Sequence, residues 1–246
     1  MEPQRSAVLV DFDGSLAAIV DDPTAARVLP VARDALAALV GKVAVVGVIS
    51  GRPIEYLVDA LDCDGLQLVG QYGLERLVDG VIIEDPRSLL SLDVVATVAE
   101  EAEKQFPDLY VERKGRLAVT LHWRRSPDRA REANEWATSQ AQRLGLALYP
   151  TRMAIELRPF IPMDKGTAVE ELCAGLSTAL FAGDDYGDLA AFDAFDRLTA
   201  THSLNNAIRI AVRSNEEPAE LVARSDIQVD GPSGLADLLV TLAHAL

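Results

Sequence analysis

Two clusters of carboxylates stand directly behind two apolar runs at opposite ends of the chain. Asp11-Phe12-Asp13-Gly14-Ser15 follows Ala7–Val10, and Gly183-Asp184-Asp185-Tyr186-Gly187-Asp188 follows Ala179–Ala182. Short continuous apolar runs mark strands buried in a parallel sheet, and ligands of open α/β sheets gather beyond the carboxyl ends of such strands, so the clusters are expected to converge. Converging carboxylates suppress one another's ionisation unless a cation sits among them. Hard oxygen ligands with no nearby His or Cys favour Mg²⁺. A carboxylate beside such a cation can attack phosphorus while a second one, two residues on, moves the proton. On that spacing Asp11 is the nucleophile and a metal ligand, and Asp13 the general acid and base. Alone, Asp-x-Asp-Gly also describes a turn or a calcium loop; the buried-strand context is what raises it.

In the second cluster Asp184 is expected to meet the metal directly, with Asp185 and Asp188 supporting it from behind or through water. An acidic helix start is the other reading of Asp188. Ser50, Gly51 and Arg52 follow the apolar strand Val43–Ile49 and are candidate substrate-binding residues, since a hydroxyl and a helix N-terminus both suit a phosphate oxygen. Taken on its own, Ser50 reads rather as the N-cap of a helix running through Leu61, with Pro53 in its first turn. Lys165 opens its own helix, where a cation opposes the helix dipole, which points to an anion as its partner, a solvated surface lysine being the other reading.

The elements that must position these residues fall into two styles. Up to about residue 84, and again from about 160, apolar strands alternate with amphipathic stretches (Val31–Val40, Lys165–Leu176, Asp188–Arg197, Gly234–Leu246), as in an α/β fold with a parallel sheet. Residues 70–80 read as turn and hairpin material. Between lies αββ repeated twice: helices over Val94–Phe106 and Asp128–Leu144, strands over Leu109–Glu112, Arg116–Trp123, Leu146–Tyr149 and Met153–Leu157. In Arg116–Arg124, Leu117, Val119 and Leu121 alternate with Ala118, Thr120, His122 and Arg124, and Ile155 and Leu157 alternate with Glu156 and Arg158, giving one greasy face and one polar face. The expected organisation is a core of 1–84 with 160–246, interrupted by an α+β insert of 85–159.

The chain has 246 residues, 49% hydrophobic, and a net charge of −15. Such acidity argues against nucleic acid and anionic membrane as partners, because those surfaces need a basic patch. Cys63 and Cys173 form no close pair, which suggests neither a disulfide framework nor a thiolate metal site. The opening MEPQRSAVLVDFDGS lacks the apolar stretch of a signal peptide and no run approaches a bilayer span, so a cytoplasmic protein is expected.

DFDGS, SGRP, Lys165 and GDDYGD, in that order, resemble the four motifs of the haloacid dehalogenase-like (HAD) phosphatases, and the resemblance spans the whole core. It implies a Rossmann-like core, Asp11 as nucleophile, Asp13 as acid and base, Ser50 and Lys165 as phosphate ligands, and Mg²⁺ held by Asp11, the Asp13 carbonyl and Asp184. The αββαββ insert looks like the cap with which that superfamily closes over sugar phosphates. Val111-Glu112-Arg113-Lys114, Leu121-His122-Trp123-Arg124 and Met153 to Pro159, followed by Asp164 to Ala168, resemble the trehalose-6-phosphate phosphatases. That resemblance implies hydrolysis of trehalose 6-phosphate, coupling to a trehalose-6-phosphate synthase, and sugar contacts from Lys114, His122, Arg124 and Glu156. The bland alternatives are a half-buried strand histidine at 122 and a surface pair of Glu156 with Arg158. Ser15, Tyr72 and Gly187 replace the more usual Thr, His and Thr, which leaves the phosphatase chemistry intact and the sugar open. Sucrose phosphate, a glycosyl-phosphoglycerate, a pseudo-disaccharide phosphate, or a silent sugar-phosphate-binding relative are the alternatives.

Overall fold

The computed structural model of the protein describes residues 2–20, 23–151, 153–215 and 217–246. The chain divides into two compact units, Met1–Ile83 with Met163–Leu246, and Glu84–Pro162. In chain order the first part supplies β1 (Ser6–Val10), α1 (Pro30–Leu39), β2 (Val45–Ile49), α2 (Ile54–Leu61), β3 (Gln67–Gly70), β4 (Glu75–Val78) and β5 (Val81–Glu84). Then come α3 (Leu92–Gln105), β6 (Tyr110–Lys114), β7 (Ala118–His122), α4 (Ala130–Leu144), β8 (Leu146–Thr151) and β9 (Ala154–Pro159). The last part supplies α5 (Lys165–Leu172), β10 (Thr178–Gly183), α6 (Leu189–Ala200), β11 (Asn206–Arg213), α7 (Ala219–Arg224), β12 (Ile227–Asp230) and α8 (Gly231–Ala245).

Eight strands form one sheet in the order β12-β11-β10-β1-β2-β3-β4-β5. It is parallel from β12 to β3 and turns antiparallel at β3–β4. Alternation along β1 shows why its run is apolar at every position. Val8 and Val10 join the core under α1, α2 and α8 with Leu36, Leu39, Leu57 and Leu239, whereas Ala7 and Leu9 join the opposite core with Val169, Phe181, Phe192 and Phe195. From β1 the chain builds outward through β2 and β3 on one side, while β10, β11 and β12 extend the other. The order reverses between β1 and β10, the crevice where open α/β sheets bind ligands.

The second unit is a four-stranded antiparallel sheet, β6-β7-β9-β8. Val95, Val98 and Phe106 of the α3 side, Ala133 and Ala137 of α4, and Val119, Leu121, Ile155 and Leu157 of the sheet share one core. Both helices therefore cover the same sheet face.

Several short elements depart from the sequence reading. Residues 70–80 contain strand β4 as well as the tight Asp79-Gly80 turn, both residues of which have positive φ. Strand β7 ends at His122: the Trp123 amide donates to the Met153 carbonyl at 3.0 Å and Ser126 closes a turn onto Trp123 at 2.9 Å, so Arg124 lies in that turn and off the polar strand face. Helix α6 starts at Leu189, because Asp188 folds its side chain back onto the preceding loop. Helix α7 and strand β12 had no counterpart in the sequence reading. Among the described residues no helix is long and apolar enough to cross a membrane. Both cysteines are free, and burial pushes the Cys173 thiol up to about 12.

Candidate active site

Strands β1 and β10 pair in parallel register, Val10 opposite Ala182, and the Asp11 amide extends that pairing by donating to the Ala182 carbonyl at 2.9 Å. This register brings the two acidic loops side by side. Oxygens of Asp11, Asp184 and Asp188, all three buried, lie within 4.8 Å of one another. The close approach sets a demand on Gly14, which has φ +85° and whose missing Cβ would stand 2.1 Å from the Asp184 carboxylate. Across the loop, a Cβ on Gly183 would stand 2.2 Å from the Asp188 carboxyl carbon.

Lys165 closes the arrangement from below. Its Nζ donates to Asp11 Oδ1 at 2.7 Å and to Asp188 Oδ1 at 2.6 Å, and the side chain is 4% exposed. Helix α5 is capped by Asp164, whose carboxylate accepts from the Thr167 amide at 2.8 Å, so the lysine emerges from a fixed first turn. Asp188 Oδ2 accepts from the Asp184 and Asp185 amides at 2.8 and 3.0 Å. It thus ties the second loop to Lys165 and holds Asp184 forward. Asp185 turns to its own backbone and accepts from the Gly187 amide at 2.8 Å.

The electrostatics follow from packing three carboxylates around one ammonium. Burial pushes the Asp11 carboxyl well above the usual range; Lys165 opposes that shift, and Asp188, Asp184 and Asp185 reinforce it. Asp188 is raised to about 6, again chiefly by burial and against the pull of Lys165. Burial works to lower the Lys165 ammonium, yet Asp11 and Asp188 outweigh it and the net shift is upward. Such a cluster is relieved by a further cation, and an all-oxygen donor set suits a hard divalent one. The residues present fit Mg²⁺ on these grounds.

Ser50 and Arg52 reach the same sheet edge from β2. Ser50 is buried and its hydroxyl accepts from the Arg52 amide at 3.1 Å. It does not cap α2. That helix starts at Ile54 behind Pro53, and its Ile54 amide is taken instead by Glu75 Oε2 at 2.8 Å. Gly51 backs onto the Tyr72 ring. The Arg52 guanidinium forks onto the Asp13 carboxylate, with Nε and Nη2 each 2.7 Å from an oxygen. Glu75, buried at the start of β4, thus has a structural role that no local motif in the sequence marks.

On the second unit, strand register aligns Glu112, Thr120 and Glu156 in one row across three strands. Lys114 Nζ donates to Glu156 Oε2 at 2.7 Å, and Arg158 Nε lies 3.5 Å from the other oxygen with its guanidinium 3.8 Å from the Tyr149 centroid. Glu156 and Arg158 are buried, at 0% and 6% exposure, which corrects the reading of them as a surface pair. His122 Nε2 meets Glu112 Oε2 at 2.8 Å, and its ring lies 5.4 Å from that of Tyr110. Lys114, His122 and Glu156 thus share one polar face, with Glu112, Tyr149 and Arg158 as further members.

Residues 9–227 match the model of a family described as trehalose-phosphatase. A trehalose-phosphate phosphatase of Mycobacterium tuberculosis H37Rv is 29% identical over 255 residues, covering 99% of this chain and 62% of that protein. Another protein of the same strain, named an uncharacterized glycosyl hydrolase, is 34% identical over 230 residues, covering 87% of this chain and 16% of the other. The chain therefore spans less than two thirds of either relative. Among solved structures, one described as a trehalose-6-phosphate phosphatase related protein aligns with a TM-score of 0.82 at 22% identity, covering 97% of both chains. At that identity the likeness speaks for the fold.

Proposed function

The chain belongs to the trehalose-phosphatase family, and from that premise we propose that it is a Mg²⁺-dependent phosphatase hydrolysing trehalose 6-phosphate to trehalose and phosphate. The observation that carries this reading is the buried Asp11, held by Lys165 at 2.7 Å and facing Asp184 where the strand order reverses. Asp11, the Asp13 carbonyl and Asp184 are the proposed Mg²⁺ ligands, with Asp185 and Asp188 supporting them. When bound, the ion supplies positive charge against the phosphoryl oxygens.

An Asp11 oxygen bonds to phosphorus as the bond from phosphorus to the sugar oxygen breaks, and Asp13 gives that oxygen its proton. Water then bonds to phosphorus, its proton passes to Asp13, and the bond to Asp11 breaks, releasing phosphate and restoring the Asp11 carboxylate. Lys165 favours the ionised form of the nucleophile against its burial and orients it, and both Lys165 and the Ser50 hydroxyl are suited to phosphate oxygens. Lys114, His122 and Glu156, which share the polar strand face, are the proposed sugar-recognition residues, with Arg124 offered from the adjoining turn. The reaction so proposed is cytoplasmic and consumes the product of a trehalose-6-phosphate synthase.

Sugar recognition is tested by substitution. His122→Ala or Glu156→Gln should raise KM for trehalose 6-phosphate by roughly tenfold or more, the loss of about one charged hydrogen bond. KM for p-nitrophenyl phosphate should stay unchanged. Equal effects on both substrates would remove these residues from sugar recognition, and a better turnover of another phosphosugar would replace trehalose 6-phosphate as the substrate.

A further inference from the structure

Arg52 sits where phosphate binding would be expected, after Ser50 and Gly51 at the carboxyl end of β2. The two-point fork of its guanidinium onto Asp13, at 2.7 Å on each oxygen, fixes the plane of that carboxylate as well as its distance. Beneath it lies Tyr56, with its ring centroid 4.5 Å from the guanidinium carbon. The Tyr56 ring meets Phe12 edge-on at 5.7 Å, and its hydroxyl donates to the Ala26 carbonyl at 2.8 Å. The platform under Arg52 is therefore braced by the residue next to Asp13.

The backbone carrying Arg52 is clamped too. The Arg52 carbonyl accepts from the Gln71 amide at 3.0 Å and the Ser50 carbonyl from the Tyr72 amide at 3.0 Å. Gln71 and Tyr72 hold φ of 50° and 57°, left-handed conformations that non-glycine residues adopt at a cost and that concentrate at functional sites. Tyr72 leaves so little room that a Cβ on Gly51 would stand 2.5 Å from its ring. Exposure then distinguishes the two partners: the Arg52 side chain is 9% exposed and the Asp13 side chain 37%.

We propose that Arg52 is a positioning residue that aims Asp13, and not a ligand of the substrate; the assignment rests on the function proposed above. Each oxygen in the fork keeps a lone pair, so a held Asp13 can still take the proton of the water that attacks the aspartyl phosphate. In the first step, negative charge grows on Asp13 as its proton passes to the sugar oxygen. Arg52 faces that charge, which makes the contact stronger in the transition state than before it.

The test compares trehalose 6-phosphate, whose sugar oxygen needs the proton, with p-nitrophenyl phosphate, whose leaving group does not. Arg52→Gln should lower kcat for trehalose 6-phosphate by about a hundredfold, with KM within roughly threefold of wild type, and lower kcat for p-nitrophenyl phosphate by less than about tenfold. Arg52→Lys, which cannot fork, should recover part of that loss. Tyr56→Leu should shift the same ratio by a smaller factor, and it carries the test if Arg52→Gln does not fold. In an Asp13→Asn background, Arg52→Gln should change residual turnover no further. A KM increase for both substrates in both backgrounds would overturn the assignment. If the wild type released phosphate from neither substrate, the functional reading would fail on its own. Binding of inorganic phosphate would then decide for Arg52, its loss in Arg52→Gln overturning the positioning role and its retention supporting that role.

Discussion

Gly14 is the residue on which the meeting of the two carboxylate loops depends. A methyl group there would need φ +85° and would stand 2.1 Å from the Asp184 carboxylate, so neither backbone nor side chain can absorb it cheaply. Gly14→Ala should cost on the order of 1–3 kcal/mol of stability and push Asp184 out of reach of Asp11. Thermal unfolding should show both effects: a lower midpoint, and loss of the stabilisation that the proposed site predicts for the wild type on adding Mg²⁺. A variant still stabilised by Mg²⁺ to the wild-type extent would show that Asp184 is not a ligand. The same crowding separates the roles of the acidic residues in the second loop. Asp188 spends one oxygen on Lys165 and the other on two amides, which suits it to holding the loop.

At the level of elements, helix α2 begins two residues after Arg52 and depends on a cap supplied from another strand. Glu75 accepts from its Ile54 amide, and Pro53 offers no side-chain cap. Glu75→Ala should cost about 1–2 kcal/mol, and Glu75→Gln, which keeps an acceptor, should cost less; urea unfolding at matched m-values checks this. This contact also shows where sequence reasoning stops. Strands β1 and β10 were legible because burial on both faces leaves room only for apolar residues, and an acidic cluster directly behind such a run has few explanations. Strands β4 and β12 were not, since Glu75 and Arg76 in β4 and Gln228 and Asp230 in β12 break the apolar run. The fork from Arg52 to Asp13 joins side chains 39 positions apart and the Glu75 cap spans 21. Neither has a local signature, because each exists only once the strand order is known. On the second unit, alternation showed one polar face, but the partners within it, such as Glu112 with His122, come from strand register.

For the molecule as a whole, a buried acidic cluster makes stability depend on pH and, with the proposed metal site, on cation. Asp188 goes from 3.8 to about 6 on folding, and Asp11 moves in the same direction, so between those pH values the folded chain binds more protons than the unfolded one. The stability this contributes is fully present below about pH 4 and lost as pH rises through about 6. Carboxylates lowered from 4.5, such as Glu217 beside Arg213, act in the opposite sense at and below that pH, which leaves the interval from pH 5 to pH 7 to the raised groups. Without divalent cation the melting temperature should therefore fall from pH 5 to pH 7, and added Mg²⁺ should restore more of it at pH 7 than at pH 5. A cation-independent profile would contradict a metal site among these carboxylates. The most direct test of the proposed activity is phosphate release from a panel of sugar phosphates, with Mg²⁺ and with EDTA, by the wild type and by Asp11→Asn. The account predicts that trehalose 6-phosphate is turned over far faster than the others and that EDTA and the substitution each abolish turnover. Release that persists in Asp11→Asn would contradict the aspartyl mechanism, and no release from any member of the panel would contradict the enzyme itself.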